Sequence, residues 1–263
     1  MEKAIERTMK FLKRRNFHPL FARNREEARD LTLQLIPKIA TVGIGDSSSV
    51  RQIGIIPSLI ERGTKVINPF DIEKQVEDNK LYAKYVFRSS IEAMFCDVFL
   101  TGTNAVTQDG RLLNIDAAGN RVAGMIWGHP QVILAVGRNK IVEDLDEGLE
   151  RIKNVIAPQH ISRRGMHKSP CRVTGKCEDC IGGNRLCNVT TIMEGSPFFS
   201  AIHVLIVGED LGLGWDASWK QDRVDAISKH HDKFMWSMPE DAMKCVSREE
   251  LWSSVKDICS SKI

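Results

Sequence analysis

The sequence is poor in aromatic residues, nearly balanced in charge and without a long apolar run. Each shortage excludes something. Phe, Trp and Tyr make up 6% of 263 residues, so the core has to be built from Leu, Ile and Val, whose recurrence along the chain argues against disorder. Lys and Arg number 37 against 34 Asp and Glu, a formal net charge of +3, which is too small a bias to mark a nucleic-acid binder. No apolar stretch approaches the ~18 residues of a membrane-spanning helix. The opening MEKAIERTMKFLKRRNF is charged and lacks the apolar centre of a signal peptide. The expectation is a cytoplasmic protein of ordinary globular composition, with no membrane and no nucleic-acid partner.

Several catalytic signatures are missing as well. There is no HExxH and no Ser-His-Asp arrangement in a recognisable context. No Lys follows the glycines of Gly43-Ile44-Gly45-Asp46-Ser47-Ser48-Ser49, so that loop is not a Walker loop. Ser48 stands where a dinucleotide fingerprint would need its third glycine.

What the chain does have is an alternation of apolar strands with amphipathic helices. Helical pattern covers 1–38 up to Pro37, then 48–62 with a kink at Pro57, 79–95, 119–128 and 144–156. Strands are predicted at 39–43, 65–68, 97–101, 112–116, 132–136 and 203–207. Such alternation specifies an α/β fold with a mostly parallel sheet. Residues 157–191 break the pattern and read as an irregular, basic, cysteine-rich insertion. The remainder divides into an α/β domain over 1–216 and a helical C-terminal extension over 217–263, where Ser247 and Glu250 form a capping box.

The Gly43–Ser49 loop follows a strand and precedes a helix. Gly43, Gly45, Ser47 and Ser48 can cradle an anion with amides and hydroxyls; a tight turn with a serine cap fits the same residues. The polar loop after 97–101 carries Asn104 and Asp109, candidate catalytic groups at the end of the sheet that bears sites in this architecture, although Asp109-Gly110 is also a turn pair. Glu209, beside Asp210 after strand 203–207, is a candidate acid–base group. His129, His203 and the pair His230-His231 read as a turn residue, a core residue and solvated residues.

Seven cysteines include four within 17 residues: Cys171, Cys177, Cys180 and Cys187, while Cys96, Cys245 and Cys259 are scattered. In a reducing compartment such a cluster points to a metal rather than a disulfide framework. The spacing fits four-thiolate zinc and iron–sulfur sites equally. Arg163, Arg164, His167, Lys168, Arg172, Lys176 and Arg185 surround it, cations that lower thiolate pKa; Arg164 and Arg185 are candidates for receiving an anionic substrate.

The run TGTNAVTQDGRLLNIDAAGNRVAGMIWGHPQVILAVGRNKIV (101–142) resembles the signature of the LUD-domain family, the lactate-utilisation proteins, above all at Asn104-Ala105, Asp109-Gly110, Gly119-Asn120-Arg121 and Asn139-Lys140. The likeness extends over about residues 5–215. It implies a three-layer Rossmann-like fold similar to the sugar-phosphate isomerase and coenzyme A transferase group, in which the loop matching Gly43–Ser49 binds phosphate or carboxylate and Asn104–Asp109 faces the same cleft. No glutamate matches the transferase nucleophile, so acyl transfer is not implied. Pro170-Cys171, Thr174-Gly175, Cys177-Glu178-Asp179-Cys180 and Arg185-Leu186-Cys187 resemble a branch with an iron–sulfur centre. The resemblance implies a 4Fe–4S cluster on the four cysteines and an oxidoreductase or Lewis-acid enzyme acting on a small anionic metabolite such as a hydroxy acid. An electron-transfer partner and a homo-oligomer are compatible with that reading. The alternative is a non-catalytic metabolite-sensing module with a structural zinc.

Overall fold

The computed structural model describes every residue except 1, 74–76, 165–167, 184, 240, 241, 243 and 261–263, with only the backbone of 259 and 260. His167 and the side chain of Cys259 lie outside the described residues. The first half runs α1 (Lys3–Arg14), β1 (His18–Ala22), α2 (Arg25–Leu35), β2 (Val42–Ile44), α3 (Ser48–Gln52), α4 (Ile55–Glu61), β3 (Val66–Ile67), α5 (Asn79–Ala93), β4 (Val98–Thr101), β5 (Ala105–Thr107), β6 (Leu112–Asp116) and α6 (Asn120–Ile126). Then follow β7 (Gln131–Gly137), β8 (Ile141–Val142), α7 (Leu145–Arg151), a π turn (Ile152–Ile156), α8 (Ala157–Arg164), α9 (Cys171–Thr174), β9 (Val189–Met193), β10 (Ala201–Val207), α10 (Gln221–Asp232), α11 (Arg248–Ser253) and α12 (Lys256–Ser260).

The main sheet has six strands in the order β1-β10-β7-β4-β2-β3, every pair parallel. Side chains alternate across it with period two. Ile133, Ala135, Leu205 and Val207 join one aliphatic core with helices α2 and α4, while Val132, Leu134, Val136, Ile202, Val204 and Ile206 join another with α1 and α6. The strands are buried on both faces, as a parallel sheet between two helical layers must be. This is the three-layer α/β arrangement the alternation specifies. A second sheet, β8-β5-β6-β9, is mostly antiparallel. Its strands β5, β8 and β9 are three to five residues or shorter and carry no periodicity that marks them in the sequence.

Several boundaries differ from the sequence reading for definable reasons. The helix expected over 1–38 is split by β1, because Asn16 takes a left-handed conformation (φ 61°) and ends α1. Pro19 is tolerated in β1 because that strand lies at the sheet edge. The break in 48–62 falls at Gly54 (φ 70°), not at Pro57, which sits in the first turn of α4 where its missing N–H costs nothing. The helix beginning at Leu145 continues through the π turn to Arg164, so the insertion is helical where it was expected to be irregular. The extension is helical at α10, α11 and α12, and the described residues between Lys233 and Ser247 are not helical; its capping box is formed. It shares a core with α5, in which Trp236, Met238, Ala242 and Leu251 meet Tyr82, Ala83 and Val86.

The glycines after residue 42 are explained by packing. A Cβ on Gly43 would lie 2.4 Å from the Ala93 carbonyl oxygen, and one on Gly45 would lie 2.8 Å from both the Phe99 ring and Thr101 Oγ1. Both neighbours are fixed in the central layers. Gly43→Ala is therefore expected to destabilise the fold by about 1–3 kcal/mol, the cost of overpacking, measured by denaturant unfolding; a change under 0.5 kcal/mol would contradict the close approach.

Candidate functional site

Strand β2 continues to β3 on one side, while β4 continues towards β7 on the other. Ligands in open α/β sheets bind at such a reversal, beyond the carboxyl ends of the strands. Here a cavity of about 680 Å³ lies there. Asp46, Ser47, Ser48 and Arg51 reach it from the loop and helix after β2, Thr103 and Asn104 from beyond β4, and Lys140 from beyond β7. Ile152, Ile156, His160 and Arg164 complete one wall. A four-residue spacing drifts around a regular α-helix; the π turn over 152–156 holds more residues per turn and counters the drift. It brings these four positions to the same wall.

The polar end of the cavity is organised around Asp46. Its two oxygens accept from Arg51 Nη2 at 2.9 Å and from Arg164 Nη2 at 2.6 Å. Burial alone would raise the Asp46 carboxyl, but the two guanidinium charges outweigh it and hold it at about 2. Arg51 is anchored further by its Nε on the Phe234 carbonyl, and Arg164 lies over the Trp236 ring. Arg51 Nη1 and Arg164 Nε are buried and have no acceptor among the described residues.

Lys140 is 7% exposed. Its Nζ donates to Ser49 Oγ at 3.1 Å and to the Thr103 carbonyl at 2.9 Å, with no carboxylate pairing it among the described residues. Burial, and secondarily the Arg121 charge, push its ammonium down to about 7. His231 is held by Ser48 through Nδ1 at 3.0 Å, while its buried Nε2 has no partner among the described residues. Burial and the Arg163 charge lower it to about 3. His160, beside it, is lowered by burial and the charge of Arg164. Both imidazoles are therefore neutral near pH 7. His231 is a buried wall residue rather than a solvated one.

The candidate residues read from the sequence divide between this cavity and other places. Ser47, Ser48, Asn104 and Arg164 line it. Ser47 also caps α3 through the Val50 amide. Asn104 Oδ1 accepts from the Ile115 amide and from Arg121, which itself bonds Asp116, Asn114 and the Gly102 carbonyl. Gly43 and Gly45 do not line the cavity; a Cβ on them would meet Ala93 and Phe99, and the Gly45 amide donates to the Leu100 carbonyl at 2.8 Å. Asp109 is engaged by Thr107, Arg15 and Arg111, tying α1 to the β5–β6 turn, and Glu209 pairs with Arg25 at 3.3 Å at the start of α2. Neither reaches the cavity. Asp46, Arg51, Lys140, His160 and His231 were not singled out as site residues, although Lys140 stands inside the 101–142 run. His129 is buried against Phe99 and bonded to the Cys96 carbonyl rather than lying in an open turn.

The four clustered cysteines are free thiols on the loop between α8 and β9. Cys187 lines the cavity. The Asp179 amide donates to Cys177 Sγ at 3.4 Å, with Asp179 left-handed (φ 43°), so Cys177–Cys180 forms a turn around a sulfur acceptor. Cys177 is pinned by its amide on Asn154, and Arg185 fastens the loop by donating to the Cys180 and Cys187 carbonyls and pairing with Asp179. Arg185 thus lies within the loop and off the cavity wall. Burial, then the negative charge of neighbouring cysteines, pushes the Cys171 and Cys187 thiols up. By type, four thiols suit zinc and iron–sulfur centres. Among the described residues no three His, Cys, Asp or Glu side chains stand close enough to hold a metal ion, so ligation requires the loop to tighten.

Lys140 sets a pH test. Its folded pKa, about 7, lies below its unfolded value near 10.5. The unfolded chain binds more protons between those values, so burial of Lys140 costs most below pH 7 and nothing above about 10. Lys140→Met is expected to stabilise the protein by on the order of 2–4 kcal/mol at pH 6, with the gain shrinking towards pH 10. Thermal unfolding across that range checks it; a pH-independent difference would contradict it.

Among the described residues, no helix is long and apolar enough to cross a membrane. A family model for the LUD domain matches residues 5–207. The crystal structure of a DUF162 family protein from Deinococcus radiodurans is similar at a TM-score of 0.44 and 12% identity, covering 78% of this chain and 96% of that one. No curated protein matches significantly. The match over residues 5–207 makes this chain a member of the LUD-domain family, a family associated with lactate utilisation.

Proposed function

We propose that this chain binds an organic anion beside an iron–sulfur centre and works as an oxidoreductase, or a subunit of one, of the lactate-utilisation type. The observation that carries the reading is the common wall: Cys187 borders the same cavity as Lys140, Arg51 and Arg164. Cys171, Cys177, Cys180 and Cys187 would hold a 4Fe–4S cluster. When bound, such a cluster supplies one-electron transfer to a partner protein, or Lewis-acid binding of a hydroxy acid's oxygens.

The protein's own groups have defined parts in this reading. Arg164 Nε and Arg51 Nη1 donate to the anion's head, as guanidinium groups suit carboxylate and phosphate. Asp46 fixes both guanidinium groups and neutralises one of their charges. Lys140 adds a donor whose charge is titratable near neutrality. His231 Nε2 is a neutral group open to a hydroxyl of the ligand. Asn104 is oriented by Arg121 and Ile115 at the cavity edge. Arg185 keeps the cysteine loop folded on itself.

Protein isolated without air is expected to be brown and to contain about four iron and four sulfide per chain. Cys177→Ala is expected to lose most of that iron while the chain stays folded by circular dichroism. A colourless protein with one tightly held zinc would overturn the redox reading and favour a metabolite-sensing module.

A further inference from the structure

The cavity is far larger than a three-carbon acid needs, and its two ends differ in chemistry. A volume of about 680 Å³ falls in the range of roughly 300–1,000 Å³ typical of sites for much larger ligands. Beyond the cationic end, α5 and the turn after it present Ala83, Val86, Phe87, Ser90, Ile91 and Met94 along one helical stripe. Its first part, Ala83 and Val86, packs against Trp236 and Met238, while Phe87, Ser90, Ile91 and Met94 are only partly buried and border the cavity. The extension borders this part with Trp252, which meets the Phe87 ring edge-on at 5.2 Å, whereas Trp236 lies at the charged end under Arg164. At the other end Arg51 and Arg164 share the single charge of Asp46, and Lys140 adds a third cationic side chain with no carboxylate among the described residues. Arg51 is 8% exposed and still has an unpartnered buried donor.

We infer that the ligand is an amphipathic acid: an anionic head at Arg51, Arg164 and Lys140, joined to an apolar chain or ring lying along Phe87, Ile91 and Met94 towards Trp252. The inference rests on the anion-binding half of the function proposed above and names its substrate class. Lactate supplies the head and leaves the apolar end wet. A 2-hydroxy acid with a longer chain fills both ends, and the desolvated surface of α5 and Trp252 supplies the added affinity.

The test is calorimetric titration of the anaerobically purified protein with lactate, 2-hydroxyhexanoate and 2-hydroxyoctanoate, with 1,2-octanediol as an uncharged match. Burial of each methylene is expected to tighten binding by up to about three- to fourfold, and the diol is expected to bind at least about tenfold more weakly than the eight-carbon acid. Trp252, half-exposed at the cavity rim, offers a variant that leaves the core alone: Trp252→Ala is expected to remove much of the chain-length gain and leave lactate unchanged. Arg164→Gln is expected to weaken all three acids alike. Equal affinity across the series, or a diol as tight as the acid, would overturn the inference. A protein that holds its iron but does not grade the acids overturns this inference alone. One that grades them but contains no iron supports it and overturns the redox reading.

Discussion

Strands β2 and β4 are parallel neighbours whose connections leave in opposite directions, and the site depends on that reversal. Neither crossover covers the gap between their carboxyl ends. The loops leaving the two strands come into direct contact instead: a Cβ on Gly102 would lie 2.7 Å from Ser47 Oγ. That closeness requires small residues, which is why Gly43, Gly45 and Gly102 stand where they do. The glycines build the crevice by letting α5, Phe99 and the facing loop approach the backbone, and polar side chains one to six residues further on face the opening. A five-residue α3 contributes little as a helix end; the site's positive character comes from side chains.

That positive character is costly to keep. Three cationic side chains gather at one end of a largely apolar cavity, with one carboxylate, Asp46, placed between two of them. Charges withdrawn from water are tolerated when paired and saturated with hydrogen bonds. Arg121 meets that condition in full, with five acceptors around it. Arg51, Arg164 and Lys140 do not. An unmatched buried guanidinium nitrogen also occurs away from the cavity, at Arg62, so what sets Arg51 and Arg164 apart is that they line the cavity wall.

Much of the fold was legible because it rests on period. Val132–Val136 and 203–207 read as strands because buried parallel strands are continuous apolar runs, and Leu145, Leu149, Ile152 and Ile156 read as one helical face. Of the second sheet only β6, at 112–116, was legible; β5, β8 and β9 were not, since two to five residues are too few for a period to show. The site was legible only where local chemistry marks it. The cysteines announce themselves by spacing, and Ser47 and Ser48 by the glycine turn. Asp46, Lys140 and His231 do not, because their meaning comes from Arg164, Ser49 and Ser48, which lie 118, 91 and 183 positions away in the chain. Asp109 and Glu209 follow strands just as Asn104 does, yet they meet arginines elsewhere, Arg15 just after α1, Arg111 in the β5–β6 turn and Arg25 at the start of α2. Position after a strand selects an edge of the sheet, and the cavity occupies only part of that edge.

The family match ends at Val207, whereas His231, Trp236, Met238 and Trp252 lie beyond it and complete the cavity. Recognition is thereby divided between two parts of the chain. The α/β portion supplies Asp46, Arg51, Lys140 and Arg164, which answer to charge. The extension supplies aromatic and sulfur-containing surface, which answers to size and hydrophobicity. The aromatic poverty of the chain makes this division sharper: four of its five tryptophans fall between 215 and 252, while the sheet cores are almost wholly aliphatic. His231 joins the two parts, since it belongs to the extension but is held by Ser48 of the β2 loop. One imidazole–hydroxyl contact, His231 to Ser48, and one guanidinium–indole contact, Arg164 over Trp236, thus join the extension to the α/β portion, and both contacts lie at the charged end of the cavity.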